Sequence, residues 1–149
     1  MGDGNDDAQF RSALDALVPA DWAELRALVE QIDEHGAPFQ RQANSAAGTA
    51  GIVDQGYPIE APIIGDTVDF LYKRDLVVPF DWPGWEGKQH VERGDVAALA
   101  GASAEDCLRY LTVIVRGDRF SSGTLLWSFE EHMTQTLLHR LLDSTGNAE

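Results

Sequence analysis

The sequence has almost no cysteine and no long hydrophobic run. Its 149 residues include a single cysteine, Cys107, so an internal disulfide is impossible and no Cys-x-x-Cys zinc pair exists. The best apolar stretch, residues 111–115, is far shorter than the roughly 20 residues that a membrane span needs. The first residues, 1–7, are acidic and polar, the opposite of a secretory signal. We therefore expect a cytoplasmic protein that does not enter a membrane.

Basic residues are also scarce. Lysine and arginine together number 11 against 25 acidic residues, which gives a formal net charge of -14. Contact with nucleic-acid phosphates or with anionic membrane surfaces requires an excess of positive charge, so we expect neither as a partner. The acidic excess itself is typical of high solubility or of adaptation to high salt.

The sequence shows no convincing strand alternation, whereas apolar residues recur at helical spacing. This pattern predicts an all-α protein, a single compact domain of about six helices over residues 1–149. Residues 1–5 and 144–149 are expected to be frayed tails. A long loop with glycine and proline is expected over residues 36–58, with a short helical turn near residues 39–47.

The centre of the predicted fold is a helix that begins after Ser103 and runs to about Phe120. Ser103 is a favourable N-cap residue, and acidic residues follow it in the first turn, where the helix dipole stabilises them. Apolar residues occupy two faces of this helix, which is typical of a helix packed from both sides. Cys107 lies on an apolar face, where we expect a small core residue with a raised pKa rather than a nucleophile.

Asp118 also falls within the apolar arc of this helix. A partly buried carboxylate needs partners, so one interpretation is an internal ion pair with Arg116, Arg119 or Arg140. The alternative is that an arginine outside such a pair faces a cleft and binds an anion such as a carboxylate or a phosphate. Both interpretations place charge inside apolar surroundings.

A second segment combines aromatic residues with two prolines. Because proline restricts the backbone, residues 76–85 are expected to be extended, with Trp82 and Trp85 held beside rigid positions. Exposed tryptophans of this kind could form a binding hot spot for a partner. The alternative is that the rings cover the helical core while Asp81 caps a turn or pairs with an arginine.

Two motifs together resemble those of a known family. Residues 80–85 read Phe-Asp-Trp-Pro-Gly-Trp, similar to a Phe-Asp-Trp-Pro-x-Trp signature, and residues 116–123 are similar to an Arg-x-acid-Arg-Phe-x-x-Gly signature. In this order, over residues 57–143, they resemble an uncharacterised prokaryotic family, domain of unknown function 6508. Where such sequences usually carry glycine between the last two helices, this sequence has His132, and histidine tolerates a left-handed backbone better than most residues. The family has no established activity, so the resemblance implies a fold and a site location only.

Familiar catalytic patterns are missing from the sequence. The histidines do not form a His-x-x-x-His or His-Glu-x-x-His pattern, and Glu131 is the only obvious acidic companion of His132. Neither a Gly-x-Ser-x-Gly elbow nor a Gly-Lys-Ser/Thr phosphate loop occurs. We therefore expect no catalytic residue, no cofactor and no metal.

The leading hypothesis is a small helical binding domain without catalysis, whose partner is another protein or a second copy of the chain. The alternative is an enzyme or ligand sensor with an arginine-lined anion pocket. A third hypothesis, mimicry of nucleic acid by a continuous acidic face, follows from the net charge alone. The candidate ligand-binding residues are Arg116, Asp118, Arg119, Asp81, Trp82, Trp85 and His132.

Overall fold

The computed structural model describes residues 2–36, 38–42, 58–118 and 123–144, with the backbone alone for residues 2–7, 40–42 and 58–60. This part of the chain contains eight α-helices and one pair of short strands. In chain order they are α1 Gly2–Asp15, α2 Pro19–His35, β1 Gln40–Gln42, β2 Pro58–Glu60, α3 Pro62–Lys73, α4 Lys88–Glu92, α5 Val96–Ala100, α6 Ala104–Gly117, α7 Thr124–Glu130 and α8 Met133–Ser144. A 3-10 turn, Trp82–Gly84, lies between α3 and α4.

The predicted all-α fold is confirmed. Six of the helices in the described ranges have seven or more residues, and α4 and α5 add two helices of five residues each. The prediction of an N-terminal tail was wrong, because α1 already begins at Gly2. Acidic residues crowd the first two turns of α1, and the helix dipole favours acids at that end.

The prediction for residues 36–58 was wrong in part. Residues 40–42, expected in a loop or a helical turn, pair antiparallel with residues 58–60, with Gln40 opposite Glu60. Three-residue strands carry too little alternation to be seen in the sequence, and their pairing depends on a partner segment far along the chain. Residues 43–57 and 145–149 lie outside the described residues.

The helix α6 forms the centre of the fold. All of its residues from Cys107 to Val115 are buried, and α6 contacts α1, α4, α7 and α8, so the predicted packing from both sides is confirmed. The N-cap prediction is also confirmed, since the hydroxyl of Ser103 accepts a hydrogen bond from the Asp106 amide at 3.1 Å. The helix ends at Gly117, before the expected Phe120, because glycine weakens the last turn and Asp118 takes the C-cap position.

The first helix is attached to α6 by one buried ring and one ion pair. Phe10 is fully buried, and the Arg109 guanidinium lies 4.8 Å from the centre of its ring. Arg109 also pairs with Asp106 at 2.6 Å, and Arg11 pairs with Glu105 at 2.8 Å. The buried arginine is therefore compensated by a carboxylate and an aromatic face, as burial of a charge requires.

The last helices close the core on the opposite side. The leucines of α8 are buried, and α8 packs against α2, α5 and α6. Phe39, just before β1, packs on Phe129 of α7 with 5.3 Å between the ring centres. The Phe39 amide donates a 2.8 Å hydrogen bond to the Glu130 carboxylate, which attaches the strand pair to α7.

Candidate functional site

The rings of the aromatic segment pack against the helical core. Phe80 packs edge-on against Phe10 and Trp85, with ring centres 5.4 Å and 5.7 Å apart. Trp85 continues this stack to Tyr110 of α6 at 4.9 Å. Phe80, Trp82 and Trp85 thus all cover the helical core, and Trp82 also lines a cleft.

Two glycines allow this segment to fold tightly. A Cβ added to Gly87 would lie 2.7 Å from Trp85 Cε2 and closer still to two other ring atoms, so the indole packs directly on the bare backbone. A Cβ added to Gly84 would lie 2.9 Å from a carboxylate oxygen of Asp81. Asp81 is exposed and makes no side-chain cap, so its predicted capping role was wrong.

Asp118 has a role that the sequence analysis did not anticipate. One of its carboxylate oxygens accepts hydrogen bonds from the Gly123 amide at 3.1 Å and from the Leu125 amide at 3.0 Å. Gly123 is the N-cap of α7, has a φ of 100° and offers no side chain for capping. Asp118 therefore supplies the missing cap from the end of α6, where a carboxylate also interacts favourably with the helix dipole.

The expected ion pair is largely replaced by this arrangement. Within the described part of the chain, no ion pair joins Asp118 to Arg116 or to Arg140. Arg140 instead donates from Nε to the Ala102 carbonyl at 2.7 Å. Arg119 lies outside the described residues, so its pairing with Asp118 stays a prediction.

The two sequence motifs meet at one small cleft of about 240 Å³, which we call the aromatic cleft. It lies between the 3-10 turn, α4, the end of α6 and α7. Its lining residues are Trp82, Lys88, Val91, Glu92, Val113, Gly117, Thr124 and Trp127. Trp82 comes from the first motif and Gly117 from the second, so motifs separated by more than thirty residues in the sequence form neighbouring walls.

The chemistry of the aromatic cleft is mostly apolar. Val91 and Val113 are buried beneath it, while the Trp127 side chain is 36% exposed. Trp127 rests on Gly94, where an added Cβ would lie 3.4 Å from the indole. Lys88 and Glu92 pair with each other across one turn of α4. The cleft therefore offers indole and valine surfaces with a neutralised ion pair on its edge.

Not all of the predicted site residues belong to this cleft. Trp82 lines it, and Asp118 caps the helix that carries Trp127. Trp85 is a core residue, Arg116 is half-buried without lining the cleft, and Asp81 lies on the exposed turn.

His132 lies elsewhere, in a second cleft beside α8. Its φ of 65° is left-handed, which agrees with the glycine that the family resemblance implied at this position.

Cys107 fits its predicted structural role. The thiol is fully buried, and burial raises its pKa to about 12, only partly opposed by the positive charge of Arg140. Burial also raises the pKa of Tyr110, whose hydroxyl lies 2.7 Å from His90 Nδ1. A thiol in this state is neutral at any physiological pH and is not a nucleophile.

Two kinds of feature are absent from the described residues. No group of three histidine, cysteine or acidic side chains in these ranges is arranged to hold a metal ion. None of the helices described is long and apolar enough to cross a membrane.

The fold is an all-α domain in which Trp82 of the first motif and Gly117 of the second line the same cleft. The chain belongs to DUF6508, a family of unknown function, whose profile matches residues 17–146. The match is longer than the 57–143 that the motifs alone suggested, and it begins after α1. No curated protein and no solved structure matches the chain.

The sequence analysis missed Trp127, which is the more exposed of the two tryptophans that line the cleft. The helical spacing of α7 does indicate an outward position for Trp127. Leu125, Ser128 and Phe129 are the buried residues of this helix, and Trp127 falls on a different face. A tryptophan away from the buried stripe of an amphipathic helix is unusual, and such residues are enriched in binding surfaces. Its neighbours in the cleft come from α4 and α6, which the sequence did not place together.

Proposed function

We propose that this chain is a protein-binding domain without catalysis of its own, and that its aromatic cleft receives an apolar side chain from a basic partner segment. The observation that carries the proposal is the convergence of both motifs on a cleft with two tryptophans, one of them exposed. Hot spots of protein interfaces are enriched in tryptophan and consist of small, desolvated pockets.

The size of the cleft favours a single anchor side chain. Pockets for drug-sized molecules measure about 300–1,000 Å³, and this cleft, at about 240 Å³, is smaller. One leucine, phenylalanine or tryptophan side chain of a partner suits such a volume. Among the described residues that line the cleft, only Lys88 and Glu92 are ionisable, and they neutralise each other. This pairing supports binding over acid–base chemistry.

The charge of the chain favours a basic partner over a second copy. A net charge of -14 makes two copies repel each other, while it accelerates the encounter with a positively charged segment. A reducing, cytoplasmic environment suits a protein with one buried thiol. The anion-pocket alternative has less support, because Arg116 does not line the cleft and Asp118 is engaged by backbone amides.

The proposal is tested by selecting peptides from a phage-displayed random library on the immobilised domain. Selected peptides should combine arginine or lysine with one large apolar residue, and fluorescence anisotropy then measures their Kd. Trp127→Ala should raise the Kd about 30-fold, the loss expected for a hot-spot residue of about 2 kcal/mol. Tyr72→Ala is the matched control, because Tyr72 is a 40% exposed aromatic residue on α3, outside the cleft.

Three results would contradict the proposal. Selection of acidic peptides, or of no peptide at all, would exclude a basic partner. Equal losses of affinity in Trp127→Ala and Tyr72→Ala would show that the cleft is not the binding surface. Light scattering that gives twice the monomer mass, reduced to one by Trp127→Ala, would assign the cleft to self-association instead.

A further inference from the structure

The first helix lies outside the family match and is attached mainly by one side chain. The family profile begins at residue 17, after the end of α1. Among the described side chains of α1, those of residues 8–15, only Phe10 is buried, and the others are half-buried or exposed. The helix packs chiefly on α6. A single buried ring therefore carries most of its attachment to the fold.

The composition of α1 favours a helix that forms only while it is docked. Residues 2–7 read Gly-Asp-Gly-Asn-Asp-Asp, and glycine, asparagine and aspartate are among the weaker helix formers. The last turn contains no basic residue that would interact favourably with the helix dipole. Helices of this length, 14 residues, are marginal in water even when they are rich in alanine. Without its contacts to the core, α1 therefore unfolds.

The second helix does not depend on α1 for its start. Val18 is the N-cap residue of α2, and its amide donates a 3.0 Å hydrogen bond to the Asp21 carboxylate. Pro19 is the first residue of α2, where its fixed φ suits the start of a helix. Because α2 begins on a cap of its own, α1 can undock while the rest of the fold stays in place.

Phe10 connects α1 to the first motif. Its ring meets the Phe80 ring edge-on, with the ring centres 5.4 Å apart. A tight turn joins Phe80 to Trp82, because the Trp82 amide donates to the Phe80 carbonyl at 2.7 Å. Asp81, between them, has a φ of -79° and a ψ of 69°, the angles of an inverse γ-turn. A three-residue turn of this kind transmits a shift of Phe80 directly to Trp82.

The hydrogen-bonded backbone continues from Trp82 into α4. The Trp85 amide donates to the Trp82 carbonyl at 3.1 Å, and the Lys88 amide donates to the Trp85 carbonyl at 3.0 Å. Trp82 and Lys88 both line the aromatic cleft. Phe80 therefore lies at the start of a continuous segment that forms one side of the cleft, and Phe10 is the residue of α1 that packs on this start.

We propose that α1 is a detachable strap and that its Phe10 is a positioning residue for the aromatic cleft. While α1 is docked, Phe10 holds Phe80, and thereby Trp82, in the geometry that forms the cleft. When α1 undocks, Phe80 loses this support. Docking of α1 and binding of the partner therefore strengthen each other, because two coupled equilibria act reciprocally. This inference rests on the proposed function and adds the regulation of its site.

The first test needs no partner and follows hydrogen exchange by NMR. The amides of residues 9–15 should exchange at least about 100-fold faster than those at the centre of α6, because α1 opens without global unfolding. In Phe10→Ala the α1 amides should lose their protection while those of α6 keep it. The signals of the Lys88 amide and of the Trp82 indole, assigned with Trp82→Phe, should move. Phe10→Leu keeps an apolar side chain in place and should give smaller changes.

A second variant covers the case in which Phe10→Ala does not fold. Gln9→Gly combined with Ser12→Gly weakens α1 at two exposed positions and removes no core atom. It should accelerate exchange of the α1 amides about fivefold and leave exchange at the centre of α6 unchanged.

The second test uses a basic peptide selected on the domain. Phe10→Ala should raise its Kd about tenfold, within the range typical of two linked sites. Saturation of the unchanged chain with the peptide should slow exchange of the α1 amides by the same factor, as reciprocity requires. Arg11→Ala is the matched control, because it removes only an exposed ion pair with Glu105 and should change the Kd less than about twofold.

Several results would overturn the proposal. Equal exchange rates in α1 and α6, or equal acceleration of both by the two glycines, would show that α1 opens only with the whole fold. Unmoved Trp82 and Lys88 signals in Phe10→Ala, or equal rises of the Kd in Phe10→Ala and Arg11→Ala, would exclude the positioning role. If no peptide binds, the proposed function fails, and the signals measured without peptide still decide whether Phe10 positions the cleft.

Discussion

Removal of the Asp118 carboxylate tests how the second motif organises the fold. In Asp118→Ala, the amides of Gly123 and Leu125 lose their shared acceptor and α7 loses its N-terminal cap. Loss of an N-cap side chain costs about 1 kcal/mol, and a hydrogen bond to a charged group contributes about 1.5–3 kcal/mol. Because Asp118 is half-buried, water compensates part of this loss, and we expect a destabilisation of about 2 kcal/mol.

Thermal and urea denaturation, followed by circular dichroism, measure this loss. For a chain of this size a destabilisation of about 2 kcal/mol lowers the Tm by about 4–8 °C. Asp118→Asn keeps an oxygen acceptor without the charge, so about half of the loss is expected. Hydrogen exchange at the Leu125 amide should accelerate in Asp118→Ala, because that amide then opens with the first turn of α7.

The matched control for this variant is Asp69→Ala, which removes an exposed carboxylate from α3. It should change stability by less than about 0.5 kcal/mol, as surface substitutions usually do. If Asp118→Ala is as stable as the control, the capping role is refuted. If Asp118→Asn loses as much as alanine, the charge rather than the hydrogen-bond geometry carries the effect.

Three further outcomes follow from individual residues. His132→Gly should raise the free energy of unfolding by about 0.5–1 kcal/mol, because glycine adopts a φ of 65° without strain. The control His139→Gly, inside α8, should lower the free energy of unfolding by about 1 kcal/mol. Urea titrations that reverse this order would contradict the backbone strain at His132. Gly87→Ala should destabilise the fold by about 1–3 kcal/mol, because the added methyl clashes with the Trp85 ring. Gly65→Ala has nothing within 4 Å of the added methyl and should stabilise the fold by about 0.5–1 kcal/mol. Equal changes in Tm would disprove the close packing of Trp85 on Gly87. The buried thiol of Cys107 should resist dithionitrobenzoate at pH 7. Since the folded pKa of about 12 exceeds the ordinary 9.0, the thiol stays protonated in the folded chain, and stability relative to Cys107→Ala should fall by about 1.4 kcal/mol per pH unit above pH 9.

The features that the sequence analysis predicted correctly are those that depend on local spacing. The cap at Ser103 follows from one side chain and an amide three residues away. The buried stripes of α2, α6 and α8 follow from apolar residues repeated at helical intervals. The left-handed backbone at His132 was implied by the family resemblance, which has glycine at this position.

The features that were missed depend on contacts across the fold. Nothing in residues 40–42 alone indicates a strand, because the ladder exists only with residues 58–60 opposite. Asp118 was expected to pair with a cation, whereas two backbone amides at the start of α7 donate hydrogen bonds to it. Trp127 became part of a site only because α4 and α7 meet over the end of α6.

The most direct test of the aromatic cleft is the NMR signal of the four tryptophan indole N–H groups during titration with a selected basic peptide. Assignment by single Trp→Phe variants distinguishes them, and Trp22, on α2, lies outside the cleft. The account predicts that the signals of Trp82 and Trp127 move in proportion to the bound fraction while that of Trp22 stays in place. Unchanged signals for Trp82 and Trp127 with peptide bound, or an equal movement of Trp22, would contradict it.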